Sequence, residues 1–194
     1  MFLILTFTVL NIFLAHASSA TGYFWRDFDG FVPPDAFVAA RDEYNNPIYI
    51  GQALHKDYLV PAKILHNDRA AYYEYGGWAY ETKDNLKIFC TKEPEQFEWI
   101  YTSVKNLNTI TGQFLVIGGY ESAKSTIYIG RTKSAGLVLI GKVVADSSSE
   151  ALYVAQNGKS HSYTSYEVLS YKEKDKNQQH TTSVVKTVDQ NVLN

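Results

Sequence analysis

The feature that most constrains the fold of this chain is an internal repeat. Residues 32–64 align with residues 111–143 without a gap, at a constant offset of 79 positions. Further along the chain the alignment continues with slips of one or two positions. The matched stretches include IYIGQA and IYIGRT (48–53 and 127–132), AYYEYGG and LYVAQNG (71–77 and 152–158), and LKIFCT and YEVLSY (86–91 and 166–171). The chain is therefore two copies of one unit of roughly 70 to 80 residues.

Apolar residues in both copies recur with the period of β-strands. Stretches such as PIYIGQAL and QFLVIGG are rich in Ile, Val, Leu and aromatic residues, and they are separated by Gly, Asn, Asp, Ser and Pro. No helical period is sustained over the length that a helix needs. We predict an all-β fold in which a pseudo-twofold pair of tandem repeats, 22–93 and 95–171, forms interlocked β-sandwich or barrel-like sheets.

The duplicated IYIG segment predicts how the two copies meet. In a strand, Ile48 and Ile50 point to one face and the tyrosine between them to the other, and Ile127 and Ile129 do the same. If one copy could bury its strands alone, a single copy would serve. We therefore expect the copies to interlock and the four isoleucines to pack into one shared core.

The two ends of the chain differ from the repeats. Residues 1–20 contain an apolar run followed by AHA, which is the pattern of a secretory signal peptide. The run is shorter than the roughly 20 residues that a membrane span needs; the alternative is a buried N-terminal strand or helix. The polar segment 172–194 is predicted to be a disordered tail, with a short strand over 183–188 as the alternative. We expect a secreted, extracellular protein.

Charge and cysteine content exclude several classes of function. The net charge is -2 and there is no basic cluster, so we expect no nucleic-acid partner. Outside the first 20 residues no apolar stretch is long enough for a membrane span. Cys90 is the single cysteine, so an intrachain disulfide cannot form and the fold must rest on its apolar core. A homodimer linked through Cys90 stays open as an alternative.

The motifs of common enzyme and metal sites do not occur in the sequence. There is no GxSxG, no HExxH and no phosphate loop, and the histidines lack metal-ligand spacing. We therefore predict that the protein is not an enzyme and needs no metal and no cofactor. The remaining enzymatic alternative is a glycosidase whose two carboxylates, Asp42 and Glu121, approach each other across the pseudo-twofold.

The succession of motifs resembles the DM-nine repeat family. Both copies carry a counterpart of VPPDAFVAARD, then IYIG, then a segment like LVPAKI, then YEYGG and an apolar last strand, and the resemblance covers Trp25 to Tyr171. It implies an all-β, pseudo-symmetric pair of repeats. Two-repeat members of the family include mannose-recognising lectins that act as pattern-recognition proteins in innate immunity.

The resemblance also implies the carbohydrate-binding residues. Family members hold sugar with an acid at the end of the VAAxD segment and a lysine in the PAKI segment, here Asp42 and Lys63. Their counterparts in the second copy are Glu121 and Lys142, and both pairs are 21 residues apart. A carboxylate accepts hydrogen bonds from sugar hydroxyls while an ammonium donates them, and such charge-assisted bonds are strong. We predict mannose-containing glycans on microbial or host surfaces as partners.

Two departures from the family pattern leave an alternative open. Arg41 stands directly before Asp42, where it could clamp or block the first site. Glu121 is one methylene longer than Asp, which could weaken the second site. The alternative is a protein-interaction or host-response module with the same fold that has lost sugar binding.

Overall fold

A computed structural model describes residues 22–122, 125–145 and 150–172. The predicted signal peptide, 1–20, lies outside the described residues. So does the predicted tail apart from Lys172, whose amide donates to the carbonyl of Gln96 at 3.0 Å and whose amine lies 2.6 Å from Glu98 Oε2.

Nearly all of the described chain is β-structure. Segments rich in apolar and β-branched residues, separated by turn residues, form fifteen strands within these ranges. They are β1 (Tyr23–Asp27), β2 (Val38–Arg41), β3 (Pro47–His55), β4 (Tyr58–Leu65), β5 (Ala71–Tyr75), β6 (Trp78–Thr82), β7 (Leu86–Thr91), β8 (Phe97–Ser103), β9 (Phe114–Leu115), β10 (Ile117–Ser122), β11 (Ser125–Ser134), β12 (Leu137–Val144), β13 (Ala151–Gln156), β14 (Lys159–Tyr163) and β15 (Ser165–Tyr171). Two short 3₁₀ helices span Pro94–Gln96 and Leu107–Thr109.

Eight of the strands close into a ring. Around the ring the order is β4, β5, β6, β14, β13, β12, β11 and β10, and β10 returns to β4 by pairing Tyr120 with Leu59. The first repeat supplies three of these strands and the second supplies five. The other strands extend the sheet on each side, with β7 paired to β3 and β15 paired to β11. Neither repeat could close this barrel alone.

The pairing pattern follows the pseudo-twofold relation. Ile50 pairs with Lys63 in the β3–β4 hairpin, and Ile129 pairs with Lys142 in the β11–β12 hairpin. The repeats meet where β6 and β14 pair through Trp78 and Lys159. These two residues follow the aligned stretches AYYEYGG and LYVAQNG, so equivalent positions lie opposite each other at this junction.

The apolar core has three parts. One cluster, from Phe28 to Cys90, belongs to the first repeat alone, and another, from Leu107 to Val168, belongs to the second. The third draws residues from both repeats and contains Ile48, Ile50 and Ile129. Ile127 is also fully buried. Three of the four isoleucines therefore occupy the shared core that was predicted for them.

Two hydrogen bonds join the repeats reciprocally. The Gln52 amide of β3 donates to the Gly118 carbonyl at 2.7 Å, and the Arg131 guanidinium of β11 donates to the Ala39 carbonyl at 2.5 Å. Gln52 and Arg131 are equivalent positions, 79 residues apart. The side chain at this position of each repeat therefore donates a hydrogen bond to a backbone carbonyl of the other repeat. Together with the closed ring and the shared core, this confirms the predicted all-β, interlocked fold.

Candidate functional site

Lys142 lies in a buried cluster of charged side chains. It is 4% exposed, on β12, and its amine donates a hydrogen bond to the Glu121 carboxylate of β10. On its other side, Glu74 Oε2 of β5 lies 2.9 Å from the Lys142 amine. The direction of this second approach is not that of a hydrogen bond, so the contact is an ion pair only. A single ammonium thus faces two carboxylates, one from each repeat.

Glu74 is held in place by its own hairpin. It is 2% exposed, and its Oε1 accepts a hydrogen bond of 2.7 Å from the amide of Gly77 in the β5–β6 turn. The Lys142 amine also lies 5.4 Å from the ring centre of Tyr75 and 5.6 Å from that of Tyr153. Cations are attracted to aromatic faces at such distances. The Lys142 site is therefore filled by side chains of the protein.

The equivalent lysine of the first repeat, Lys63, lines an open cavity. The cavity has a volume of about 370 Å³, within the roughly 300–1,000 Å³ typical of ligand pockets. Residues of both repeats form its wall. With Lys63 they are Leu65, Tyr72, Ala79, Tyr80 and Glu81 from the first repeat, and Leu137, Leu139, Ala155, Gln156, Asn157 and Gly158 from the second.

Lys63 differs from Lys142 in its electrostatic surroundings. It is half-buried, and among the described residues it has no hydrogen bond and no ion pair. Burial lowers the pKa of its amine from the ordinary value of 10.5, because removal of water disfavours the charged form. Glu81 also lines the cavity, but it is exposed and makes no ion pair with Lys63. The cavity therefore presents an ammonium whose counter-charge is missing.

Asp42 lies at the tight turn between β2 and β3, with its carboxylate directed at the turn. Its Oδ1 accepts from the amides of Tyr44 and Asn46 at 2.9 and 2.8 Å, and its Oδ2 accepts from the Asn46 side chain at 3.1 Å. Loss of solvent alone would raise the pKa of Asp42, but these hydrogen bonds outweigh it and the pKa is lowered. Arg41 contributes to the same turn by donating to the carbonyl of Asn45 at 2.9 Å.

Of the two predicted acid and lysine pairs, the structure brings one together. Glu121 and Lys142 are hydrogen-bonded, whereas no contact joins Asp42 to Lys63 among the described residues. Sequence reasoning missed Glu74, which comes from the first repeat and binds the lysine of the second. The signal that could have found it is the mismatch between AYYEYGG and LYVAQNG, where Glu74 aligns with Ala155.

Gly119 explains part of the difference between the repeats. A Cβ atom at Gly119 would lie 1.9 Å from the carbonyl oxygen of Leu59, so only glycine allows β10 to approach β4 this closely. The position equivalent to Gly119 in the first repeat is Ala40. The close approach lets β10, which ends near Glu121, pair with β4. The corresponding segment before Asp42 has alanine at the two glycine positions.

Within the part of the chain that the structure describes, neither a metal site nor a membrane-spanning helix is found. No group of three or more His, Cys, Asp or Glu side chains there could hold a metal ion. No helix among these residues has the length and apolar character needed to cross a membrane. Cys90 is fully buried, and burial raises the pKa of its thiol to about 11, so it is poorly placed for a disulfide to a second chain.

Comparison with known proteins gives a family and a fold. The family model for the DM9 repeat matches residues 5–78, 42–149 and 121–193. The nematode sperm cell motility protein MFP2B has a similar solved structure, with a TM-score of 0.62 and 20% identity over 81% of this chain. The match covers 48% of that protein, so the chain spans about half its length. No curated protein matches the sequence. Because the matched segments together cover residues 5 to 193, the chain belongs to the DM9 repeat family.

Proposed function

We propose that this protein is a secreted, non-catalytic and metal-independent carbohydrate-binding protein that recognises mannose-type glycans on microbial surfaces in innate immunity. The observation that carries the proposal is the open Lys63 cavity at the junction of the two repeats. The secreted location rests on the signal-like first 20 residues, and the immune role rests on what is common among two-repeat members of the family.

The cavity offers the groups that a hexose needs. The Lys63 ammonium donates hydrogen bonds, the amides of Gln156 and Asn157 both donate and accept, and Glu81 accepts. Tyr72 and Tyr80 bring aromatic rings, whose faces pack against the C–H surface of a sugar. A pocket with apolar rings and a few convergent polar groups is the usual form of a small-ligand site.

The cavity also lacks the arrangement that glycoside hydrolysis requires. A glycosidase places two carboxyl groups on opposite sides of the bond that it breaks. Asp42 uses both carboxylate oxygens within its own turn, and Glu121 is bound to Lys142. Among the residues that the structure describes, Glu81 is the single carboxylate of the cavity wall. These positions favour binding without catalysis.

A glycan array tests the proposal directly. We expect mannose-containing glycans to be bound equally with and without EDTA, and Lys63→Met to lose that binding while Lys105→Met keeps it. Lys105 is an exposed lysine outside the cavity and serves as the matched control. Failure to bind any hexose glycan on the array would contradict the proposal. Loss of glycan binding in EDTA would contradict its metal-independent part.

The filled Lys142 site favours a second candidate function. Glu74 and Glu121 already pair with Lys142, so this lysine is not available to a ligand. If Lys63 binds no sugar either, the chain is a protein-interaction or host-response module. This candidate expects a purified partner protein to bind equally before and after enzymatic deglycosylation. Loss of all binding after deglycosylation would exclude it.

A further inference from the structure

We propose that the Lys63 cavity selects a sugar unit that carries a carboxylate, a hexuronic acid, over the corresponding neutral hexose. This inference rests on the proposed carbohydrate-binding function and names the ligand class of its site. It comes from a comparison of two lysines that the repeat makes equivalent and that the structure surrounds differently.

The first step is the charge around each amine. Lys142 is buried and is matched by two carboxylates, Glu74 and Glu121. Lys63 is half-buried and is matched by none among the described residues. A buried or partly buried charge is unfavourable unless an opposite charge or hydrogen-bond partners compensate it. The Lys63 amine can therefore take an anionic partner from a ligand, whereas the Lys142 amine already has two within the protein.

The second step is the space in which that anion would lie. Glu74 on β5 reaches Lys142 on β12, and the equivalent strands are β13 and β4. Ala155 is the residue of β13 that aligns with Glu74, and its side chain lines the Lys63 cavity. The volume that a carboxylate fills beside Lys142 is thus open beside Lys63. A ligand carboxylate placed there would repeat the Glu74–Lys142 ion pair.

The other titratable groups of the cavity do not replace this anion. The Tyr72 hydroxyl donates a hydrogen bond of 2.8 Å to Asp68, so that carboxylate is engaged away from Lys63. Tyr80 packs on His55, with ring centres 4.7 Å apart. Glu81 is exposed and is left to accept from a sugar hydroxyl.

The remaining wall fits the rest of a hexuronate. The amides of Gln156 and Asn157 line the cavity and can hydrogen-bond to sugar hydroxyl groups, and Leu137 and Leu139 provide apolar surface. Gln156 already accepts a long hydrogen bond of 3.4 Å from Tyr163, which leaves its amide nitrogen to donate. The cavity therefore combines one cation for the carboxylate with neutral groups for the ring.

Calorimetric titration of the full chain with three probes tests the inference. The probes are an oligomannuronate, its C6 methyl ester and a mannose oligosaccharide of the same length. We expect the acid to bind about tenfold more tightly than either neutral probe, because charge-assisted hydrogen bonds are roughly twice as strong as neutral ones. Lys63→Met should remove this preference, and Lys63→Arg, which keeps the charge, should retain most of it.

Substitution of Ala155 separates charge from shape. Ala155→Glu places a carboxylate beside Lys63, as Glu74 does beside Lys142, and should abolish the preference for the acid. Ala155→Gln has nearly the same size without charge, and should weaken all three probes alike. If either variant fails to unfold cooperatively, the Lys63→Met and Lys63→Arg pair decides alone.

The outcomes distinguish this inference from the proposed function. Equal binding of the acid, the ester and the neutral oligosaccharide overturns the inference and leaves carbohydrate binding in place. An acid preference that survives Lys63→Met also overturns it, because the charge then acts elsewhere. Absence of binding by all three probes overturns both proposals.

Discussion

Lys142 and Lys63 occupy equivalent positions in the two repeats and have opposite surroundings. Lys142 is enclosed by two carboxylates and two tyrosine rings, while Lys63 lines a cavity and has no counter-charge among the described residues. The main cause is one difference between the copies, Glu74 in β5 against Ala155 in β13. Glu74 therefore fills the site of the second repeat's lysine, Lys142, while the site of the first repeat's lysine, Lys63, is open.

The comparison also shows that each site belongs to both repeats. Glu74 of the first repeat completes the lysine site of the second, and Ala155 of the second repeat shapes the cavity of the first. A change in one copy therefore alters the chemistry of the other. Variants that remove the difference between the two lysines, or that measure it, test this dependence.

The largest effect is expected from breaking the Lys142 cluster. Lys142→Met leaves the buried Glu74 carboxylate without a counter-charge, and should lower the free energy of unfolding by about 3–5 kcal/mol. Urea denaturation followed by tryptophan fluorescence measures this. Glu81→Leu, which removes an exposed acid, should change it by less than about 0.5 kcal/mol.

The double variant Glu74→Leu/Lys142→Met sharpens the same test. Removal of both deeply buried charges leaves Glu121 without a partner, but its carboxylate is partly exposed to water, so most of the lost stability should return. A double variant as unstable as Lys142→Met alone would show that the cost arises from packing rather than charge.

The next effect concerns binding at Lys63 rather than stability. Lys63→Met should weaken glycan binding by about 2–3 kcal/mol, because a charge-assisted hydrogen bond is lost. It should not lower the free energy of unfolding, because the Lys63 amine has no hydrogen bond or ion pair to lose among the described residues. Calorimetric titration and urea denaturation measure the two quantities. Lys142→Met should lower the free energy of unfolding and leave glycan binding unchanged. A large loss of stability in Lys63→Met would contradict the comparison.

A smaller loss is expected where β10 meets β4. Gly119→Ala places a methyl group against the Leu59 carbonyl, which should cost about 1–3 kcal/mol of unfolding free energy. Gly136→Ala is the control for the removal of a glycine, since a Cβ there meets no atom within 4 Å, although its positive φ of 80° adds backbone strain. Thermal unfolding of both variants checks the prediction, and a loss in Gly119→Ala no greater than in the control would contradict it.

The smallest effect is the pH dependence that Lys63 contributes. Its pKa is lowered in the folded chain, so between that value and 10.5 the unfolded chain binds more protons than the folded one. Stability should therefore rise with pH in this window, while glycan binding, which needs the ammonium, should fall. Denaturation and titration series in matched buffers measure both trends, and both should be absent in Lys63→Met.

Much of the fold could be predicted from the sequence because the repeat imposes it. The strand period, the buried isoleucines of IYIG and the interlocking of the copies all follow from residues that align. Glu121 and Lys142 were predicted as joint sugar ligands, and the two side chains do lie together, although they bind each other. The contact between Asp42 and Lys63 was not realised, because DEYNN forms a turn in which backbone amides bind the Asp42 carboxylate.

The role of Glu74 could not be predicted by the same reasoning. Alignment of the two copies compares each residue with its counterpart, whereas Glu74 acts on the lysine of the other copy. Such a contact depends on how β5 faces β12 across the closed ring. That arrangement follows from the junction of β6 with β14 and from the approach of β10 to β4, neither of which has a local sequence pattern.

The closed ring of strands has a consequence for synthesis on the ribosome. When the first repeat has emerged, β4 and β6 each have one edge whose partners, β10 and β14, are still to be translated. At about 5–20 residues per second, the second repeat takes on the order of 4–16 seconds to follow. During that interval two exposed strand edges are open to pairing with other nascent chains. A chaperone that shields the first repeat should therefore raise the yield of folded protein more than one that acts after release.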